Sequence, residues 1–181
     1  MWGLKVEIPW IREATEELIE DIVRKKYEKK KERMPHLSKE IEETARRVEE
    51  AAKKFIRFCR EIGGTPKVKE YASRFFGTIE LACHFKDGAE IVTVRYRDGN
   101  LSVVTDKGWG SLELPKGLNK AEIRIKDLEK VGEVIFDDYI KPVEFLAHDV
   151  PGIKEIVMDI YGDHVKIKFR SKTYEEVMER E

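Results

Sequence analysis

Long apolar runs are missing from this chain. No uninterrupted stretch approaches the roughly 20 residues that span a bilayer, and Met1-Trp2-Gly3-Leu4-Lys5 lacks the apolar run of a signal peptide. Cysteine is scarce: Cys59 and Cys83 are too few for the disulfide framework of a small secreted domain. Net charge is nearly absent as well. At −1 the chain has no overall pull toward nucleic acid or an anionic membrane, so either partner would need a local patch. These absences lead us to expect a cytoplasmic protein with reduced thiols and no membrane partner.

Catalytic signatures are missing too. Gly108-Trp109-Gly110 is too short for a phosphate cradle, which needs a strand-to-helix setting. Cys83-His84 looks like a nucleophile beside its base. Neighbours on a strand point to opposite faces, however, and Cys83 shares its phase with Ile79, Leu81 and Phe85, which makes it core. Asp137-Asp138 on a helix would diverge by about 100°. Of the four histidines, His36, His84, His148 and His164, the pairs His148-Asp149 and Asp163-His164 flank one strand. That strand would hold them roughly 25 Å apart, so they read as turn and cap residues. No cofactor, metal or catalytic residue is expected.

What is abundant is charge of both signs. Charged residues make up 39% of the chain, against roughly 25% in an ordinary soluble protein, with 35 basic and 36 acidic side chains. This composition is hyperthermophile-like, because desolvating ion pairs costs less at high temperature. Hydrophobic residues at 41% argue against disorder. At 181 residues the chain reads as one domain, 1–181, large enough to bury a core without staples.

The domain divides into a helical hairpin, 1–64, and a sheet-and-helix part, 65–181. Pro9 suits the first position of a helix carrying Ile11, Ala14, Leu18 and Ile22, ended by Met34-Pro35. Ser38 is placed to cap a second helix. There Ile41, Ala45, Val48, Ala52, Phe55, Cys59 and Ile62 make a coiled-coil-like seam that stops at Gly63-Gly64. Such a hairpin should pack antiparallel. Thr65-Pro66 predicts a short third helix with Val68, Tyr71, Ala72, Phe75 and Phe76 buried.

The period then changes to two. Strands are predicted at 79–85 and 92–97, joined by a hairpin at Asp87-Gly88, and a third strand at 101–104 follows Asp98-Gly99-Asn100. Further strands are predicted at 109–114 and 121–126. A helix capped by Asp127 carries Leu128, Val131, Val134 and Ile135, and two strands flank Gly162-Asp163. Thr173 and Glu176 form a capping box for a last helix. The expected class is α+β: an antiparallel helical hairpin plus a short helix, then a largely antiparallel sheet with helices packed on one face. From the third helix the order α-β3-α-β2-α resembles that of secretion-chaperone-like folds. The likeness is one of element order over the last two thirds of the chain, and a shared fold implies no shared function.

Two surface features remain. Arg24, Lys25, Lys26, Lys29, Lys30, Lys31 and Arg33 crowd the end of the first helix. They read as a solvated tip, favoured by the helix's negative end and answered by Glu40, Glu42, Glu43 and Glu49, or else as a salt-sensitive arm for nucleic acid. On the strands, Arg95, Arg97, Arg124, Lys126, Lys166, Lys168 and Arg170 lie opposite the apolar positions, a basic outer face shared with Glu80, Glu155 and Asp159. The second helix also carries Ala51, Ile56 and Phe58 beside its seam, more apolar surface than one partner helix can cover. The leading expectation is therefore a non-enzymatic binding or assembly module, a homodimer or partner of another protein, with Ile56, Phe58 and Trp109 at its interface. A nucleic-acid-binding accessory protein using the basic tip is the alternative.

Overall fold

In the computed structural model the described residues are 9–70, 79–89, 92–97, 100–113, 120–126, 131–137, 143–145, 152–161 and 165–179. Thr15 starts the first helix: its hydroxyl accepts from the Leu18 amide at 3.1 Å, Glu16 and Glu17 occupy the first turn, and α1 runs Glu16–Arg33. Pro9 instead leads into a strand, β1 (Trp10–Glu13). Proline tolerates a sheet edge as well as a helix start, and β1 is an edge. A 3-10 turn, Pro35–Leu37, leads directly into α2 (Ser38–Glu61), so Ser38 is helical rather than a side-chain cap. The antiparallel hairpin is as expected. Lys31 meets Glu42 at 2.6 Å, Lys53 meets Glu20 at 2.5 Å and Arg57 meets Glu16 at 3.2 Å.

The predicted third helix is a strand. β2 (Thr65–Glu70) pairs with β1 on one side and with β3 (Ile79–Ala89) on the other. Thr-Pro is a good helix start locally, but two flanking strands satisfy the backbone of 65–70, and Pro66 and Val68 turn to the core. Tyr71, Ala72, Phe75 and Phe76 lie outside the described residues. The helix predicted after Asp127 is also replaced, by β8 (Val131–Asp137), which pairs with β7 (Lys120–Lys126). With 65–70 and 131–137 as strands, the secretion-chaperone-like order does not hold among the described residues.

The Asp87-Gly88 hairpin is absent as well. β3 continues through these residues to Ala89, with Gly88 at φ +75. A side chain at Gly88 would begin 3.2 Å from Gly152 Cα, so the glycine serves close approach of two backbones rather than a turn. β3 therefore pairs with β10 (Ile153–Ile160), which pairs with β11 (Val165–Arg170). The seven-stranded sheet has the order β1-β2-β3-β10-β11-β8-β7. A second, four-stranded sheet has the order β6-β5-β4-β9, from β4 (Val92–Arg97), β5 (Asn100–Thr105), β6 (Gly108–Glu113) and β9 (Val143–Phe145). Every described pairing is antiparallel, and the chain is α+β. The threonine half of the capping box is present: the Glu176 amide donates to Thr173 Oγ1 at 3.2 Å, the Glu176 carboxylate stands 3.6 Å from Lys154, and α3 spans Tyr174–Glu179.

The core lies between α2 and the two sheets. Val68, Leu81, Cys83, Ile156, Met158, Ile167 and Phe169 face it from the larger sheet, and Leu101, Val103 and Leu112 from the smaller. Ala51, Ala52, Phe55, Ile56, Phe58 and Cys59 of α2, with Ile62 at its C-cap, are all buried between them. At 100° per residue they occupy roughly 160° of the helix circumference, which is what a helix touching α1 and two sheets needs. Cys59 and Cys83 are core, as expected. They are also bonded to each other, Cα atoms 5.5 Å apart, where free thiols were expected. Among the described residues no helix is long and apolar enough to cross a membrane.

Candidate functional site

The polar face of the larger sheet is where its chemistry collects. Strand alternation sends Lys69, Glu80, His84, Glu155, Asp159, Lys168 and Arg170 to the side opposite α2. Cross-strand register places His84, Glu155 and Arg170 in one row and Lys69, Glu80 and Asp159 in another. Ala82 and Val157 lie in the row between, and Lys69 reaches across it to the first row. This face was expected to be an outer one, yet Lys69, Glu80, Glu155 and Asp159 are each at most 2% exposed.

Glu155 is the hub. Its Oε2 lies 2.7 Å from Lys69 Nζ and 2.7 Å from His84 Nε2, and its Oε1 accepts from Arg170 at 3.3 Å. Lys168 reaches Asp159 at 3.0 Å, and Arg170 stands 4.0 Å from Glu80. Lys69 Nζ also sits 5.2 Å from the centre of the Tyr174 ring, a cation–π contact that brings α3 to this face. Burial alone would raise the Glu155 pKa. The close approach of His84 and the charge of Lys69 outweigh it and hold the carboxyl down at about 2.

Ionisable side chains thus do converge, contrary to the expectation that they scatter over turns and opposite faces. His84 does so away from Cys83, as strand alternation requires. Their chemistry is nonetheless that of a closed set. A general base needs a pKa near working pH and a lone pair turned to substrate. Glu155 stays ionised, with both oxygens engaged by cations. Among the described residues no group of three His, Cys, Asp or Glu side chains could hold a metal ion. His148, Asp149, Asp163, His164 and Asp138 lie outside the described residues.

The expected basic outer face is divided. Lys166, Lys168 and Arg170 share it with Glu80, Glu155 and Asp159 as predicted, and Arg124 and Glu133 fall in register with Lys168. Arg95 and Arg97 belong to the other sheet. The hub residue Lys69 falls in the stretch predicted to be helical. Its signal was present, since Thr65, Lys67 and Lys69 alternate with Pro66 and Val68 at period two.

Of the predicted interface residues, Ile56 and Phe58 are core, at 0% and 1% exposure. The surplus apolar surface of α2 is consumed by the second sheet, not by another subunit. Trp109 differs. It projects from β6 at 67% exposure, directly opposite Val104 of β5 at 48%. Their neighbours Val103, Gly110 and Leu112 face α2, so alternation turns this pair outward. Asn100, Ser111 and Glu113 are exposed with them.

At the basic tip, Arg24 and Lys25 both pair with Asp21, at 2.5 and 3.0 Å, and Lys31 with Glu42. Lys30 stands 5.8 Å from the Tyr27 ring. Lys26 and Arg33 have interaction partners too, and Lys29 is exposed. No family model matches the chain, and no curated protein or solved structure matches it.

Proposed function

We propose that this protein is a non-catalytic binding and assembly module that self-associates through the outer face of its smaller sheet. The observation that carries this is the cross-strand pair Val104–Trp109, exposed on the face opposite the buried Leu101, Val103 and Leu112. Tryptophan is a residue type enriched at contact centres, Val104 widens the apolar patch, and Asn100, Ser111 and Glu113 supply a polar rim. A two-fold axis through such a patch sets it against its own copy, apolar centre on apolar centre. The sealed state of Glu155 supports the non-catalytic part, because a carboxylate held by Lys69, His84 and Arg170 offers nothing to a substrate. A cytoplasmic setting of the hyperthermophilic kind accommodates both the ion-pair-rich composition and the buried disulfide.

The nucleic-acid alternative gains nothing from the basic tip. The pairs to Asp21 and Glu42 offset its positive field within the hairpin itself.

Sedimentation and light scattering test the proposal. The wild-type chain should form a dimer that dissociates on dilution, and Trp109→Ser should weaken it on the order of a hundredfold, the scale of a tryptophan at an interface centre. A wild-type chain that stays monomeric at high concentration, or a Trp109→Ser chain that dimerises equally well, removes the reading.

A further inference from the structure

The last turn of α2 touches both sheets. Toward the larger one, Cys59 is bonded to Cys83 of β3, and both residues are fully buried. Toward the smaller one, Ile62 Cγ2 and Phe58 Cδ1 lie 2.8 and 3.0 Å from the point where a side chain at Gly110 would begin. The Glu61 carbonyl oxygen lies 3.4 Å from the equivalent point at Gly108. Trp109 sits between those two glycines and points the opposite way. Gly64 closes over the sulfurs: a side chain there would overlap Cys83 Sγ and begin 3.1 Å from Cys59 Sγ, and its amide donates to the Cys59 carbonyl at 2.9 Å. One turn of helix therefore joins a sulfur–sulfur bond in one sheet to the backbone that carries Trp109 in the other.

We propose that Cys59–Cys83 is a redox latch for the Trp109 face. While the bond is closed, the turn 58–64 is held against β3 and backs β6, which presents Trp109 and Val104 in register. A dithiol reductant opens it by thiolate attack on one sulfur and release of the other as a thiol. The reductant's second thiol then resolves the mixed disulfide, leaving two cysteine thiols and an oxidised dithiol, a transfer of two electrons and two protons. Unbonded thiols need more room than a bonded pair, and Gly64 packs so closely on both sulfurs that even a Cβ would not fit there. The turn moves off β3, and β6 loses its backing at Gly108 and Gly110. Because both sulfurs are buried, attack waits on local opening of the same turn. The consequence for binding rests on the self-association reading above; the latch itself does not.

Hydrogen exchange on the full wild-type chain, oxidised and then reduced with dithiothreitol, is the test. Amides of 58–64 and 108–113 should exchange on the order of tenfold faster after reduction, those of 153–160 and 165–170 should be unchanged, and reoxidation should restore protection. The Cys59→Ser/Cys83→Ser chain should match the reduced state; the chemically reduced wild type decides if that variant does not fold. Unchanged rates at 108–113 overturn the latch. So does acceleration throughout both sheets, which would make the bond a general staple. If β6 loosens on reduction while the mass in solution stays the same, the latch stands and self-association through Trp109 falls. If Trp109→Ser abolishes association but reduction leaves β6 unaffected, the reverse holds.

Discussion

Lys69 and Glu155 form an ion pair at 2.7 Å with both side chains fully withdrawn from solvent. Removing one member of such a pair leaves the other charged and buried, which costs far more than the intact pair contributes. Lys69→Met should destabilise the fold by about 3 kcal/mol, or roughly 6–12 °C in Tm for a chain of this size. Glu155 retains His84 and Arg170, which keeps the loss from being larger. The double variant Lys69→Met/Glu155→Leu should recover about 1 kcal/mol or more, because an apolar pair replaces the fully buried charges and Arg170, partly exposed, still stands 4.0 Å from Glu80. Thermal unfolding of the three chains provides the comparison. A Lys69→Met chain as stable as wild type would mean that the charge layer carries no such penalty.

Acid should expose the same hub. The folded Glu155 pKa, about 2, lies below its ordinary 4.5 because His84 and Lys69 overcome the effect of burial. A depressed carboxyl contributes its full stability above the unfolded value and loses it as pH falls through the folded one. The window is therefore pH 4.5 down to 2, and the loss across it is about 3 kcal/mol. Urea midpoints at several pH values should fall steeply in this window for wild type. Glu155→Gln should start lower and show a flatter acid limb; parallel limbs would mean that another carboxylate governs the acid response.

Gly110 marks the seam between α2 and the smaller sheet. A side chain there would begin 2.8 Å from Ile62 Cγ2 and 3.0 Å from Phe58 Cδ1. Gly110→Val should cost about 1–3 kcal/mol through overpacking, although valine suits a strand. Ser111→Val, one residue along on the exposed face, should change Tm by little. Equal effects at the two positions would contradict the packing described.

The helical hairpin was legible because its signals are local: the seam from Ile41 to Ile62, the break at Met34-Pro35, the stop at Gly63-Gly64. Thr173 and Glu176 were legible for the same reason. Residues 65–70 and 131–137 were not, since each carries a helix-start signal or helical spacing and only neighbouring strands decide against it. Val131, Val134 and Ile135 fit a helix as well as a strand. Gly162-Asp163 marked the β10–β11 hairpin, but Asp87-Gly88 misled, because β3 and β4 divide between two sheets. The charge hub depends on partners 86 positions apart, Lys69 and Glu155, and no local pattern encodes that pairing. Trp109 was visible as an interface candidate. Ile56 and Phe58 misled because a second sheet covering α2 was not foreseen.

The broad apolar arc of α2 bears on how the chain is made. Synthesis releases residues 51–62 well before β10 and β11 exist to cover them. β1, β2 and β3 cannot close the larger sheet alone, because β3 waits for β10 at its open side. During translation the apolar arc of α2 therefore meets α1 first, then β2, β3 and β6, and its cover is completed only when β10 arrives. Pairings so distant in sequence form slowly. The apolar arc of α2 is therefore sealed last of all at its β10 side.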